Sequence, residues 1–507
     1  MTKSQLQTPS RKDIDSLLSN YQSGQYDIAR DIALSLTQRF PDHQLSWKVL
    51  GAALGKLGQM NDALIANKKT IAINAHDADA HNNLGITLKN LGKLEEAEVS
   101  YRQAIVLKPD FPAAHRNLGD TLKNLGKLEE AEVSYRQAIV LKPDFANTHY
   151  DLGNIMKNLG KLEKAEASYR QAILLKPDYA EAYSNLAGIL MNLSRLEEAE
   201  ASCRQAIAIK PGQAGNYNNL GSILSEIGKL EEAESCYRKA IAIKPDLIDA
   251  FWNLSSLMKN IIDAEYWIDK CLAVDANHIK AKLTKAALRF YQGDRTNFEN
   301  LMQSKYKQNS RMRSFSWVFN LFNLPELYFN KWHFFDAIVK KSIISRPFYE
   351  FGVWRATSFR YLIKSFKKGY GFDTFKGLPE DWDVGSHIEK AGTYSSDGNI
   401  PKIKGGEFIV GKFEDTLPIF YSERRPIASV INFDADLYSS TICALNFSKS
   451  IMDKNTILIF DEFIINENWE QDEFKALNEF CSTNNYTYEV IAVSFFSKQV
   501  AVKLIGI

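Results

Sequence analysis

The chain has five cysteines, eight histidines and no long apolar run in 507 residues, and each scarcity removes a class of protein. Cys203, Cys236, Cys271, Cys443 and Cys481 have neither the density of a disulfide scaffold nor the spacing of a metal knuckle. They suit reduced core thiols in a cytoplasmic protein. No stretch approaches the ~18 consecutive apolar residues of a membrane span. The opening MTKSQLQTPSRKD lacks the apolar segment of a secretory signal. Neither charge sign is in surplus: the formal net charge is +1, whereas a nucleic-acid binder usually carries a basic excess. The histidines are scattered, and His81, His115 and His149 merely mark one position of a repeat.

The length calls for more than one domain, and the first half is periodic. Leu50, Leu84, Leu118, Leu152, Leu186, Leu220 and Leu254 recur at one fixed spacing, each followed by a small residue. Alanines stand thirteen residues on, at 63, 97, 131, 165, 199 and 233, and prolines at 109, 143, 177, 211 and 245 close most units. A leucine-glycine pair lets two helices cross closely, with the alanine of the second helix expected to meet that gap. Glycine turns the chain within LGKLEEAE, and proline stops the second helix because it cannot continue the hydrogen-bond ladder. Each unit is expected to be a helix-turn-helix, stacked into a superhelix of about eight repeats plus a cap over residues 10–308. Trp47-x-x-Leu50-Gly51, Ala97-x-x-x-Tyr101 and Pro109 resemble the tetratricopeptide repeat.

Within the array, Asn83, Asn117, Asn185, Asn219 and Asn253, with Asp151 among them, stand immediately before the repeated leucines. An asparagine amide offers a donor and an acceptor to a peptide group. The column therefore suits an extended protein or peptide partner in the groove, and it resembles the asparagine ladder of a nucleocytoplasmic N-acetylglucosamine transferase. An inter-repeat column that ties helices together is the alternative.

After about residue 308 the period stops. Residues 309–346 are rich in aromatics and are expected to form linking helices that dock onto the next domain. From 347 to 507, short apolar runs alternate with helical patterns: strands near 347–353, 370–375, 407–410, 428–434 and 456–463, then a closing antiparallel pair at 488–493 and 499–505. This pattern predicts an α/β domain with a mostly parallel sheet. Two of its apolar runs end in acids, Asp434-Ala435-Asp436 and Asp461-Glu462. Open α/β sheets bind ligands at that edge, and carboxylates there can hold a divalent metal and a catalytic base.

The segments EFGVWRATS, GFDTFKGLPEDW, GTYSSDGNIPKI, VGKFEDTLP, DADLYSST and IFDEF, in that order, resemble the macrocin O-methyltransferase (TylF-like) family of class I methyltransferases. The resemblance covers about 347–480. It implies a Rossmann-like fold, S-adenosylmethionine and Mg²⁺ as cofactors, and transfer of a methyl group to a sugar hydroxyl of a glycan or glycolipid. It further implies that Glu350, Gly352, Trp354 and Ser358 form the cofactor turn, that Asp373 takes the ribose hydroxyls, and that Gly411 and Phe413 border the adenine. Asp434, Asp461 and Glu462 would ligate Mg²⁺, and Asp436 would be the general base. Two positions depart from the family: Ala356 stands where glycine is usual, a substitution that needs a backbone outside the left-handed region, and Asn432 stands where many members have histidine. The loop with Asp381, Asp383, His387 and Glu389 is a candidate lid. A non-catalytic repeat scaffold with a remnant domain is the competing function. A glycosyltransferase is disfavoured, since the stretch after the array is too short for two nucleotide-binding domains.

Overall fold

A computed structural model describes residues 8–396 and 398–507. Backbone contacts divide it into two compact units. The first runs to Asn192 and includes Arg204–Lys210, and the second comprises Leu193–Cys203 and Pro211–Ile507.

In the first unit, antiparallel helix pairs follow one another: Arg11–Gln22 with Tyr26–Arg39, Gln44–Lys56 with Met60–Ile73, Ala78–Asn90 with Leu94–Leu107, Pro112–Asn124 with Leu128–Leu141, and Ala146–Asn158 with Leu162–Leu175. Gly58, Gly92, Gly126 and Gly160 turn the chain at φ of +71° to +77°, and Lys108 and Lys142, just before Pro109 and Pro143, cap the second helices. The alanine expected to face the helical glycine is buried, but it is not what fills the gap. A tyrosine ring is: a Cβ on Gly85, Gly119 or Gly153 would lie 2.6–2.9 Å from the ring of Tyr101, Tyr135 or Tyr169. The glycine therefore makes room for an aromatic ring sixteen residues on, which is a larger buried surface than an alanine could provide.

The second unit begins with helices of the same kind, including Ala214–Ile227, Leu230–Ile243, Ile248–Leu257, Ile261–Val274, Ile279–Tyr291 and Thr296–Met302. Helix Ser310–Phe319 follows, and its Trp317 packs on Phe463, Trp469 and Phe474. Ten strands come next: β1 Glu326–Tyr328, β2 Phe348–Phe351, β3 Gly369–Asp373, β4 Trp382–Asp383, β5 Ile388–Glu389, β6 Gly406–Val410, β7 Val430–Phe433, β8 Ile457–Phe460, β9 Thr487–Ser494 and β10 Val500–Ile505. Strands β4 and β5 pair as a separate ribbon, and the other eight form one sheet in the order β1-β9-β10-β8-β7-β2-β3-β6. From β6 to β8 every pairing is parallel, and β10 runs antiparallel to both β8 and β9. The chain thus forms an all-α array through helix Ile279–Tyr291 and later a mixed α/β region with a parallel-rich sheet. The segment expected to be purely helical between them contributes β1, which pairs parallel with β9.

The core sets the position of the sheet's carboxyl ends. Phe372, Phe351, Phe433 and Phe460 are register partners on four adjacent parallel strands. Their rings stack at 4.7, 5.5 and 4.9 Å with interplanar angles of 12–15°. All four are fully buried. The next residue on each strand is Asp373, Gly352, Asp434 or Asp461.

Candidate active site

Strand order reverses between β2 and β7: the chain proceeds from β2 outward to β3 and β6, then returns to β7 on the other side. Open α/β sheets bind their ligands at the carboxyl edge of such a point. Here the edge is the row Asp373, Gly352, Asp434, Asp461, held in line by main-chain bonds past the strand ends. Gly352 N donates to Phe372 O (2.9 Å), Asp434 N to Phe351 O (2.8 Å) and Asp461 N to Phe433 O (3.0 Å).

Gly352 has φ +87° and Ala356 φ +62°, and both lie in the turn from β2 to helix Thr357–Leu362. Ala356 is therefore left-handed, so the condition under which alanine replaces glycine without strain is not met; the cost is about 1–2 kcal/mol. Ser358 is buried in the first turn of that helix. Trp354 donates its main-chain N–H to Asp373 (2.7 Å), its ring packs edge-on to Tyr394 at 5.1 Å, and Phe375 N also donates to Asp373. The Asp373 carboxyl is raised by burial despite those amides. Gly411 N donates to Asp373 O (3.0 Å), which brings Gly411 beside Asp373, whereas Phe413 is mostly buried against Phe351. Glu350 is buried inside the sheet and pushed well above the carboxylate range by that burial. Its register partner Asn432 donates to it at 3.4 Å.

The acids at the ends of β7 and β8 crowd one another. Asp434 is raised well above its ordinary value by burial, then by Asp461 and Asp436. Asp436, at φ +58°, is raised by burial, then by Glu462 and Asp461, with Lys498 opposing. Asp461 is raised by burial and accepts a hydrogen bond from Gln499. Glu462 is also paired: Lys498 Nζ lies 2.7 Å from it, and Asn466 donates to it as well. Asp434 and Asp461 are hard oxygen donors of the kind Mg²⁺ takes. Yet among the described residues no three His, Cys, Asp or Glu side chains are arranged to hold a metal. Of the three expected ligands, Glu462 pairs with Lys498 here.

Sequence reasoning assigned no role to four residues of this edge, although Tyr394 lies within the segment GTYSSDGNIPKI. Glu473, in the first turn of helix Glu473–Asn484, is fully buried; it accepts from Glu462 N (3.1 Å) and is pushed well upward by burial and by Asp461 and Asp436. Lys498 and Gln499 come from the turn between β9 and β10. Tyr394 faces Asp436, Glu389 and Glu462, and burial raises its hydroxyl. The candidate lid reaches this edge: Ser439 donates to Glu380, and a Cβ on Gly385 would meet Glu467 at 2.5 Å. His387 bonds Ser386 (3.0 Å) and Glu389 (2.8 Å) within the loop. Tyr438 donates to Glu479 rather than to the acids.

In the array, the ladder asparagines bond sideways. Asn117 Nδ2 donates to Asn82 (3.0 Å), Asn185 Nδ2 to Tyr150 (3.1 Å) and Asn154 (2.9 Å), and Asn253 Nδ2 to Asn218 (3.1 Å). Asp151 takes Arg116 at 2.9 Å. The main-chain carbonyl of Asn83 accepts from Thr87 Oγ1 (3.0 Å), and Asn219 lies in helix Ala214–Ile227.

Family models described as TPR repeat match residues 88–126, 119–160 and 154–194, and models described as tetratricopeptide repeat match 178–246 and 66–99. The N-terminal part of the chain, through helix Ile279–Tyr291, is a tetratricopeptide repeat array. Among solved structures, YrrB, titled a TPR protein with an unusual peptide-binding site, is 25% identical; the match covers 36% of this chain and 95% of YrrB at a TM-score of 0.34. The thermophilic TPR protein TTC0263 of Thermus thermophilus is 23% identical over 36% of this chain and 98% of its own, at a TM-score of 0.31. PilF of Pseudomonas aeruginosa is 17% identical over 44% of this chain and 96% of its own, at a TM-score of 0.38. No curated protein matches the chain. Among the described residues no helix is long and apolar enough to cross a membrane.

Proposed function

We propose that the α/β region is an S-adenosylmethionine-dependent O-methyltransferase acting on a sugar hydroxyl, and that the repeat array binds a protein or peptide partner, as such arrays commonly do. The observation that carries the proposal is the row Asp373, Gly352, Asp434, Asp461 at the point where strand order reverses. The order of the seven strands β2, β3 and β6–β10, with β10 inserted antiparallel before β9, agrees with the class I fold that the motifs resemble. The residues also suit a cationic donor. Glu350, Asp373, Asp434, Asp436, Asp461 and Glu473 are all carboxyls held above their usual range, by burial first, so a positive ligand would favour their charged forms.

When bound, S-adenosylmethionine supplies a methyl group already activated on a sulfonium. The chain's own residues do the rest. The Gly352 turn brings backbone against the ligand crevice, and Asp373 offers acceptors to ribose hydroxyls once Trp354 N and Phe375 N yield them. Asp436, in its ionised form, takes the acceptor's proton, and Tyr394 lies beside it. Asp434 and Asp461 remain candidates for Mg²⁺, but the chemistry drawn here runs through none.

The left-handed Ala356 and the two amides on Asp373 favour a second reading, a repeat scaffold with a non-catalytic domain. Calorimetry with S-adenosylmethionine on the folded protein separates the two. Saturable binding, with methyl transfer lost in Asp436→Asn, supports the enzyme; absence of binding leaves the scaffold.

A further inference from the structure

A second concavity in this unit has the opposite electrostatic character. A cleft of about 630 Å³ opens between Ser194, Arg195 and the first turn of helix Leu196–Ile209, the helix Thr357–Leu362, and Ser396 with Asn399 to Lys402. Arg355, Arg360, Lys364 and Lys402 line it, over an apolar floor that includes Trp332 and Tyr361, whose rings lie 4.5 Å apart. Arg195 joins them but is paired with Glu198 (2.6 Å), and Glu197 is the other acid of the lining. Setting aside Arg355 and the Arg195–Glu198 pair, the described lining residues hold three cations, Arg360, Lys364 and Lys402, against one carboxylate, Glu197. Like charges gathered in one concavity repel, and low-dielectric walls focus their field outward. An anion removes that cost, and arginine's planar fork suits phosphate oxygens.

Size narrows the ligand. The volume falls within the ~300–1,000 Å³ of small-molecule sites, too little for a helix or a polymer. The floor is already committed by its polar atoms: Trp332 Nε1 donates to Ser225 O, and the Tyr361 hydroxyl donates to Asp336. What these residues offer the cleft is therefore apolar ring surface, which suits the carbon face of a sugar. The acid row shares no residue with this cleft and would repel such a ligand.

We propose that this cleft is a binding site for a phosphorylated sugar-sized small molecule, separate from the acidic row. The site itself does not depend on the methyltransferase reading.

The probes are glucose 1-phosphate, pyrophosphate and inorganic phosphate, titrated into the full chain by calorimetry and thermal shift at 0.15 M salt. Glucose 1-phosphate is expected to bind saturably and raise the Tm, at least tenfold tighter than inorganic phosphate. Arg360→Ala/Lys364→Ala changes two exposed side chains and should weaken binding at least tenfold with an unchanged circular dichroism spectrum. Asp436→Asn should leave it unchanged. Binding no tighter than inorganic phosphate, binding that survives the double substitution, or no binding by the folded wild-type chain would each overturn the proposal. Because these readouts use neither S-adenosylmethionine nor methyl transfer, failure here is distinct from failure of the catalytic reading.

Discussion

A side-chain carbon on Gly352 would lie 1.8 Å from the carbonyl oxygen of Asp434. The two loops that leave β2 and β7 therefore touch backbone to backbone where strand order reverses. Nothing larger than glycine fits, and φ +87° would be strained for any other residue. Gly352→Ala is expected to cost at least about 3 kcal/mol in urea unfolding. A loss below about 1 kcal/mol would mean that this contact is not tight.

Ala356 is the converse case, a side chain where the backbone asks for none. Ala356→Gly relieves left-handed strain but gains entropy in the unfolded chain. The net expectation is a gain of up to about 1 kcal/mol, with tighter S-adenosylmethionine binding by calorimetry. Weaker binding in this variant would remove Ala356 as the reason for any low affinity.

Glu473 is buried among Asp461, Asp436 and Glu462, and its carboxyl is pushed well above the usual range. A neutral Glu473 has a close neutral mimic in glutamine. Glu473→Gln should change stability at pH 7 by less than about 0.5 kcal/mol, whereas Glu473→Ala, which leaves Glu462 N without its acceptor, should cost about 2–3 kcal/mol. Equal losses in the two variants would indicate that the charged form is the one buried.

Asp472 is pushed by burial from 3.8 up to about 6. Its folded state binds the proton more tightly than the unfolded state, so its contribution to stability is complete below about pH 4 and is lost as pH rises through about 6. The full linkage is at most about 3 kcal/mol. Asp472→Asn should flatten that part of the stability–pH curve, read as Tm between pH 4 and 7.

The ladder asparagines make a structural prediction as well. Asn185→Ala removes bonds to Tyr150 and Asn154 and should lower array stability by about 1–2 kcal/mol. No loss of stability would return that residue to the groove as a partner contact.

Much of the sheet was readable because its strands are short, mostly apolar runs, two of which stop at paired acids, VINFDAD and ILIFDEF. Strand β1 was not, since three residues, Glu326-Leu327-Tyr328, carry no period. The turn at Ala356 was readable as a departure, but its handedness came only with the backbone. Glu473 looked like an ordinary acid in a helix's first turn; only the fold buries it. The asparagine column was visible, but its bonds go to Asn82, Tyr150, Asn154 and Asn218, neighbours in space from the preceding repeat. The cations of the second cleft are spread from Arg195 to Lys402, a separation that no local pattern can bridge.

The three residues of β1 also bear on how the α/β region can be handled in isolation. They lie at the end of the sheet and cover the Ala492–Ser494 edge of β9. A fragment cut at 347, where the motifs begin, would leave unpaired amides and carbonyls along that edge, beside the apolar face that Trp317 covers. Such an edge templates association with another chain. A fragment starting at Pro211 keeps both covers and the helices whose Trp252 and Tyr291 pack on Phe496 and Phe495, and should remain monodisperse where the shorter one aggregates.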